Sequence, residues 1–166
     1  MPSSVAVLPP WIVLDPLLDS WLREDIGRGD RSTQSLFSVD PFAGVLVNGT
    51  SPAGQLADAQ WIAKQAGVTA GLPIAARVFQ RLNPMVSFSP LVADGAACEA
   101  GTTIVQLHGP VDALLTGERV ALNLAMRLSG IATATRQYVE AIATLPTQFV
   151  DTRKTTPGLR LLEKYA

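Results

Sequence analysis

Apolar and polar positions along this chain follow two periods, one helical and one alternating. The stretch "LDPLLDSWLREDIGRGD" puts Leu17, Leu18, Trp21 and Leu22 on one face, with Asp15 as cap, Pro16 at the first helical position and Gly27 ending the turn. An amphipathic helix is expected there. From Asp40 to Gly49, "DPFAGVLVNG" reads as a strand closed by an Asn-Gly turn. Next, "GQLADAQWIAKQAG" reads as a helix carrying Leu56, Ala59, Trp61, Ile62 and Ala66. Beyond Ala76 the texture turns to short β-type pieces, "ARVFQRL", "MVSFSPLV" and "TTIVQLHGPV", punctuated by Asn-Pro, Asp-Gly and Ala-Gly. Within them, "DGAACEAGTTIVQLHGP" looks like a small β-turn unit.

The longest helical pattern is "TGERVALNLAMRLSGIATATRQYVEAIATL". Thr116 can cap it, and Val120, Leu124, Leu128, Ile131, Val139 and Ile142 keep near-helical spacing. Gly130 would kink this helix or permit close packing. Pro146 stops it, "TQFV" begins a new strand, and "PGLRLLEKYA" starts another helix. Helix, strand, charged loop and helix start are what the entry to a βα-type barrel looks like. The fold expected is therefore an α+β N-terminal domain, a sheet with helices, over residues 1–115. Residues 116–166 follow as the beginning of an α/β barrel that stops after its first strand, leaving strand Gln148 to Asp151 as an edge.

Composition narrows the class. The 166 residues are 48% hydrophobic and 16% charged, which is globular but below the roughly 25% charge usual for soluble domains, so some apolar surface is expected to meet a partner. Net charge is −1, unevenly spread: Met1 to Gly117 holds six Lys/Arg against ten Asp/Glu, and Glu118 to Ala166 seven against four. No strongly basic face for nucleic acid is expected from this; a local anion site near the C-terminus is. Cys98 is the single cysteine, so no internal disulfide forms, in keeping with a reducing cytoplasm. The N-terminus lacks a basic n-region, and no apolar stretch reaches the ~20 residues of a membrane span. A cytoplasmic protein without membrane contact is expected.

The chemistry concentrates in "DTRKTTPGLR". Arg153 and Lys154 sit just past a predicted strand, where α/β architectures place ligands. A guanidinium fork can hold a carboxylate bidentately while a lysine supplies a mobile charge for phosphate, and Thr152, Thr155 and Thr156 add hydroxyls. A solvated charged loop would look the same in sequence. Pro157 and Gly158, opening the next helix, fit either a phosphate at a helix N-terminus or an ordinary turn.

Together, "ERVALNLAMRLSGIATATRQYVEAI" and "VDTRKTTPGLRLLEKYA" resemble the quinolinate phosphoribosyltransferases, and "REDIGRGDRSTQSL" is similar to that family's early helix and loop. Arg31-Ser32 stands where the family commonly has an apolar-Thr pair. The resemblance implies phosphoribosyl transfer from phosphoribosyl pyrophosphate to quinolinate with decarboxylation. The products would be nicotinate mononucleotide, pyrophosphate and CO2, in de novo NAD synthesis. By the same resemblance Arg153 would clamp a quinolinate carboxylate, Lys154 would lie by the phosphoribosyl pyrophosphate or the leaving group, and Thr152 would line the pocket. Arg153 and Lys154 would be the catalytic pair. Arg119, in "ERVALN", would reach the neighbouring subunit's site in a homodimer. Mg2+ would accompany phosphoribosyl pyrophosphate, with ligands outside this chain. The family's further strands, with a His-Arg pair, another lysine, acidic residues and phosphate loops, are absent after Ala166, so the chain is expected to be an incomplete form of the enzyme.

Two other classes compete. One is a related phosphoribosyltransferase-like protein of other specificity, and the other an inactive α/β binding or dimerisation fragment. A lipoyl- or biotinyl-type carrier resembles the "DGAACEAGTT" unit but needs an exposed lysine, and none occurs between Lys64 and Lys154. His108 is expected to be structural or on the surface, and Cys98 an inert packing residue. Arg127 and Arg136 are expected in solvated or interface roles. The "RGD" of Arg28 to Asp30 and the "NGT" at Asn48 are expected to be accidental, and Asp25 and Asp30 too few for a cation loop.

Overall fold

The computed structural model describes residues 7–27 and 55–166. The strand expected from Asp40 to Gly49, the "RGD" and "NGT" tripeptides and the loop around Arg31 lie outside them. Helix α1 spans Trp11–Ile26. Leu14, Leu18 and Leu22, one turn apart, are its buried residues, the i, i+4, i+8 stripe of a helix laid on a core. It begins four residues before the expected Asp15 cap, with Pro10 at the N-cap and Pro16 inside. Asp15 is occupied elsewhere: Arg77 reaches its carboxylate at 2.9 and 2.6 Å, and Arg81 reaches that of Asp19 at 2.9 and 2.7 Å.

Strand β1, Leu56–Ile62, replaces the helix expected over Gly54 to Gly67. It runs antiparallel to β5, Thr103–Pro110, which also pairs antiparallel with β3, Ser87–Pro90, in the order β1-β5-β3. The register explains the correction. Ala59, Leu107 and Phe88 lie abreast, as do Trp61, Val105 and Pro90, while Asp58, His108 and Ser87 share one outer row and Gln60, Gln106 and Ser89 another. Period-2 alternation and continuous pairing with β5 outweigh the helical spacing of a few alanines. A second sheet joins β2, Gly67–Val68, to β4, Ala97–Cys98.

Helix α2, Leu72–Leu82, overturns the strand expected over "ARVFQRL". Among its buried residues Leu72, Ile74, Ala75, Val78 and Phe79, the set Leu72, Ala75, Val78 and Phe79 has 3.6-residue periodicity, and the helix starts at Leu72-Pro73, four residues before the apparent strand. Gly71 precedes it at φ +89°, and a Cβ there would lie 2.6 Å from Leu128 Cδ1, so both backbone and space call for glycine. Helix α3, Val111–Ala141, starts five residues before Thr116, which is interior rather than a cap. Its face of Leu114, Val120, Leu124 and Leu128, interleaved with Ala113, Gly117, Ala121, Ala125 and Ala132, is buried. The small residues let α2 approach closely: a Cβ on Gly117 would lie 2.8 Å from the Phe79 ring. Phe79 packs with Trp61 and Phe88 at centroid separations of 6.4 and 6.0 Å, one cluster joining helix layer to sheet. The helix runs on through Gly130, beside which a Cβ would meet nothing within 4 Å.

Around Ala132 the seam is polar. Thr133 Oγ1 accepts the Val68 N–H at 2.9 Å, and Ser129 Oγ accepts that of Ala70 at 3.0 Å, fastening β2 to α3. The strand expected at "TQFV" is not formed. Phe149 stacks on Tyr138 at 5.7 Å, Val150 is exposed, and among the described residues no strand pairs with 147–150. An extended segment becomes a strand only with a hydrogen-bonded neighbour. Helix α4, Arg160–Tyr165, closes the described chain with Leu162 buried.

Candidate active site

The loop between 150 and α4 holds its own backbone in place. Thr152 Oγ1 accepts the Lys154 N–H at 3.0 Å, a local side-chain turn of the kind threonine favours. Arg160 donates to the Arg153 carbonyl and the Thr155 hydroxyl, each at 3.3 Å. Lys164 Nζ lies 2.7 Å from Asp151. At the far end the Thr156 N–H donates to Glu163 Oε2 at 3.1 Å, and Arg127, from α3, donates to both Glu163 Oε1 and the Thr156 hydroxyl. The Arg127 guanidinium foremost, then Thr156, holds the Glu163 carboxyl below its ordinary value.

Arg153 and Lys154, by contrast, are exposed, and their side chains have no partner among the described residues. Two adjacent cations on a tethered backbone are poised for an anion, because partnering one costs no existing ion pair. Arg119 is elsewhere: its Nε lies 3.0 and 3.1 Å from the Asp25 carboxylate at the end of α1. It sits eight residues before Arg127 on α3, about 12 Å along a helix rising ~1.5 Å per residue. The chain thus brings Thr152, Arg153 and Lys154 into one loop and keeps Arg119 apart from them.

A cavity of about 380 Å³ opens behind α4, with Asp94, Thr135, Arg136 and Tyr165 on its lining. Asp94 accepts the N–H groups of Gly71 and Leu72 at 2.7 and 2.9 Å and the Tyr165 hydroxyl at 2.7 Å. It thereby caps α2 and ties α4 to it. Burial, then Asp94, pushes the Tyr165 phenol up. None of this network was expected from sequence. Its only visible signal is the Asp-Gly pair at Asp94, which reads as a turn. His108 lies on the outer sheet face with Nδ1 2.8 Å from Asp58 Oδ1, a surface pair as expected. Among the described residues no group of three His, Cys, Asp or Glu side chains converges as a metal site, so those residues provide no Mg2+ cage. No helix among them is long and apolar enough to cross a membrane.

Comparison with known families gives these positions a context. Residues 42–129 match the model of the quinolinate phosphoribosyl transferase N-terminal domain, and residues 131–166 that of its C-terminal domain. The chain belongs to the quinolinate phosphoribosyl transferase family. It is 57% identical over 165 residues, 99% of its length, to the "Probable nicotinate-nucleotide pyrophosphorylase (carboxylating)" of Synechocystis sp., covering 51% of that protein. To the human nicotinate-nucleotide pyrophosphorylase (carboxylating) it is 39% identical over 165 residues, 98% of the chain and 50% of the relative. A crystal structure of NadC from Streptococcus pyogenes superposes with TM-score 0.81 at 39% identity, covering 95% of this chain and 52% of that one. The α+β reading of the fold agrees with these quinolinate phosphoribosyl transferase structures. The chain spans about half the length of the curated relatives it matches.

Proposed function

We propose that this chain contributes the N-terminal domain and the first barrel loop of an enzyme that transfers phosphoribosyl from phosphoribosyl pyrophosphate to quinolinate with loss of CO2. The observation that carries the reading is the tethered loop whose cations, Arg153 and Lys154, stand unpartnered. Both substrates are polyanions, so a pair of cations with no ion-pair partner of their own is the chemistry the reaction needs. In the reaction the pyridine nitrogen bonds to C1 of the ribose as the C1–O bond to pyrophosphate breaks. The C2–carboxylate bond then breaks, CO2 leaves, and C2 takes a proton to give nicotinate mononucleotide.

In this reading the Arg153 fork grips a quinolinate carboxylate and orients the ring nitrogen. Lys154 faces the negative charge that grows on pyrophosphate, and Thr152 lines the pocket. Arg119 serves the neighbouring subunit's site in a homodimer. Its place on α3, away from the loop, supports a role outside its own chain's site. Mg2+ enters with phosphoribosyl pyrophosphate. The protein works in the cytoplasm, where Cys98 stays a thiol.

The test joins these 166 residues at Ala166 to the unmatched remainder of the Synechocystis relative and assays nicotinate mononucleotide. The fusion should turn over, and Arg153→Ala should lower kcat/KM about 100-fold or more, the loss typical of one preorganised charge donor. A folded fusion that makes no product, or an Arg153→Ala form within about threefold of the parent, overturns the reading.

A further inference from the structure

The loop that carries Arg153 and Lys154 is fastened at its far end by a closed ring of three residues. Thr156 donates its N–H to Glu163 Oε2 at 3.1 Å and accepts from Arg127 at its hydroxyl, while Arg127 Nε donates to Glu163 Oε1 at 3.1 Å. Arg127 belongs to α3 and Glu163 to α4, so the ring bridges two elements and grips the residue that opens the turn between them. Glu163 is its least exposed charged member, 12% against 44% for Arg127. A carboxylate held there by a guanidinium and a backbone N–H is the kind of charge-assisted network that fixes one geometry.

We propose that Glu163, with Arg127, is a positioning pair that holds Thr156 and so aims Arg153 and Lys154 at the anionic ligand; this rests on the quinolinate reading above. The other tethers, Lys164 to Asp151 and Arg160 to the Arg153 carbonyl, act on the first half of the loop and on the helix that follows it. Without the ring the second half keeps only the Arg160 contact with the Thr155 hydroxyl at 3.3 Å and the Leu159 N–H bond to the Thr156 carbonyl at 3.0 Å, neither of which ties it to α3, so it gains room to move. Affinity then falls by the fraction of time the cations point correctly. If that fraction drops from near unity to about a tenth, apparent affinity weakens about tenfold.

The test uses the fusion at Ala166 described above, isotopically labelled, with quinolinate as probe. Its binding is read from the Arg153 and Lys154 amide shifts, and loop order from hydrogen exchange at Thr156. Glu163→Gln keeps the shape and removes the charge; it should cut Thr156 protection at least about tenfold and weaken quinolinate about tenfold. Arg127→Ala should do the same, and the double variant should be no worse than either single, because all three remove one ring. Arg136→Gln, on the same helix but outside the ring, should change neither. Unchanged Thr156 protection overturns the proposal, as does lost protection with quinolinate affinity within about twofold of the parent. If the parent gives no response to quinolinate, it is the functional reading that fails. The ring is then judged on exchange alone, where unaltered protection still overturns it.

Discussion

Two glycines of α3 look alike in sequence and should behave oppositely when given a methyl group. Gly130→Ala adds a Cβ that meets nothing within 4 Å. It should gain the usual preference of a helix interior for alanine, about 0.5–1 kcal/mol. Gly117→Ala makes the same helical gain but drives its Cβ to 2.8 Å from two Phe79 ring carbons and 3.0 Å from Leu82 Cδ1. Phe79 is 1% exposed and is wedged by the Trp61 and Phe88 rings at 6.4 and 6.0 Å, so it has no room to retreat. Overpacking of this kind costs about 1–3 kcal/mol, more than the helical gain, and Gly117→Ala should be destabilised by about 1 kcal/mol net. The two variants should therefore differ by about 2 kcal/mol, or roughly 4–8 °C in Tm for a domain of this size. Urea unfolding followed by circular dichroism measures both, with the m-values expected to match the parent. Phe79→Leu combined with Gly117→Ala should recover part of the loss as a favourable coupling. A Gly117→Ala protein as stable as Gly130→Ala would show that α2 and α3 are not in contact at that point.

Acid should loosen the bundle through named carboxylates. Arg77, by hydrogen bond first, holds Asp15 below the ordinary 3.8, Arg81 does so for Asp19, and Arg127 holds Glu163 below 4.5. Their contribution is complete above those ordinary values and is lost as pH falls through the lower folded values. Stability by urea titration should thus hold from pH 7 to about 5 and fall below about 4, with a shallower fall in Asp15→Asn. Tyr165→Phe removes the bond to Asp94 while keeping the ring, and should cost about 1–2 kcal/mol, since the acceptor is charged. In the intact protein the raised Tyr165 value places this contribution below the ordinary 10.0, to be lost as pH climbs beyond it. Alkaline unfolding of Tyr165→Phe should accordingly be less steep than that of the parent.

The parts of the fold that could be read from sequence are those whose period is set within one element. Leu18 and Leu22, Leu124 and Leu128, and the β3 and β5 pieces sit on strong local patterns, and each is buried or paired as expected. The misreadings share a cause. "LADAQWI" has alanines at helical and strand spacings alike, and only its pairing with β5 decides between them. The segment "ARVFQRL" alternates like a strand only when its helix start at Leu72-Pro73 is left out. Thr116 and Asp15 are good caps on paper, yet the true helix starts at Val111 and Trp11 follow Pro110 and Pro10. Arg153, Lys154 and Thr152 were visible because they are contiguous. The partners of that loop, Arg127, Glu163 and Lys164, were not, because no short spacing links a mid-helix arginine to a glutamate 36 residues on.

The charge count takes on a location once the partners are known. Seven cations follow Glu118, and carboxylates claim four: Arg119 with Asp25, Arg127 with Glu163, Arg136 with Glu140 and Lys164 with Asp151. Those left without a carboxylate partner among the described residues are Arg153, Lys154 and Arg160, all between 153 and 160. Arg160 spends its donors on a carbonyl and a hydroxyl of the same loop, so it stiffens the segment without cancelling its charge. A basic excess that looked diffuse in the sequence is therefore gathered over eight residues by neutralising the other cations of this half. The pattern leaves positive charge concentrated on one stretch of the loop, the charge distribution that the proposed anion site would need.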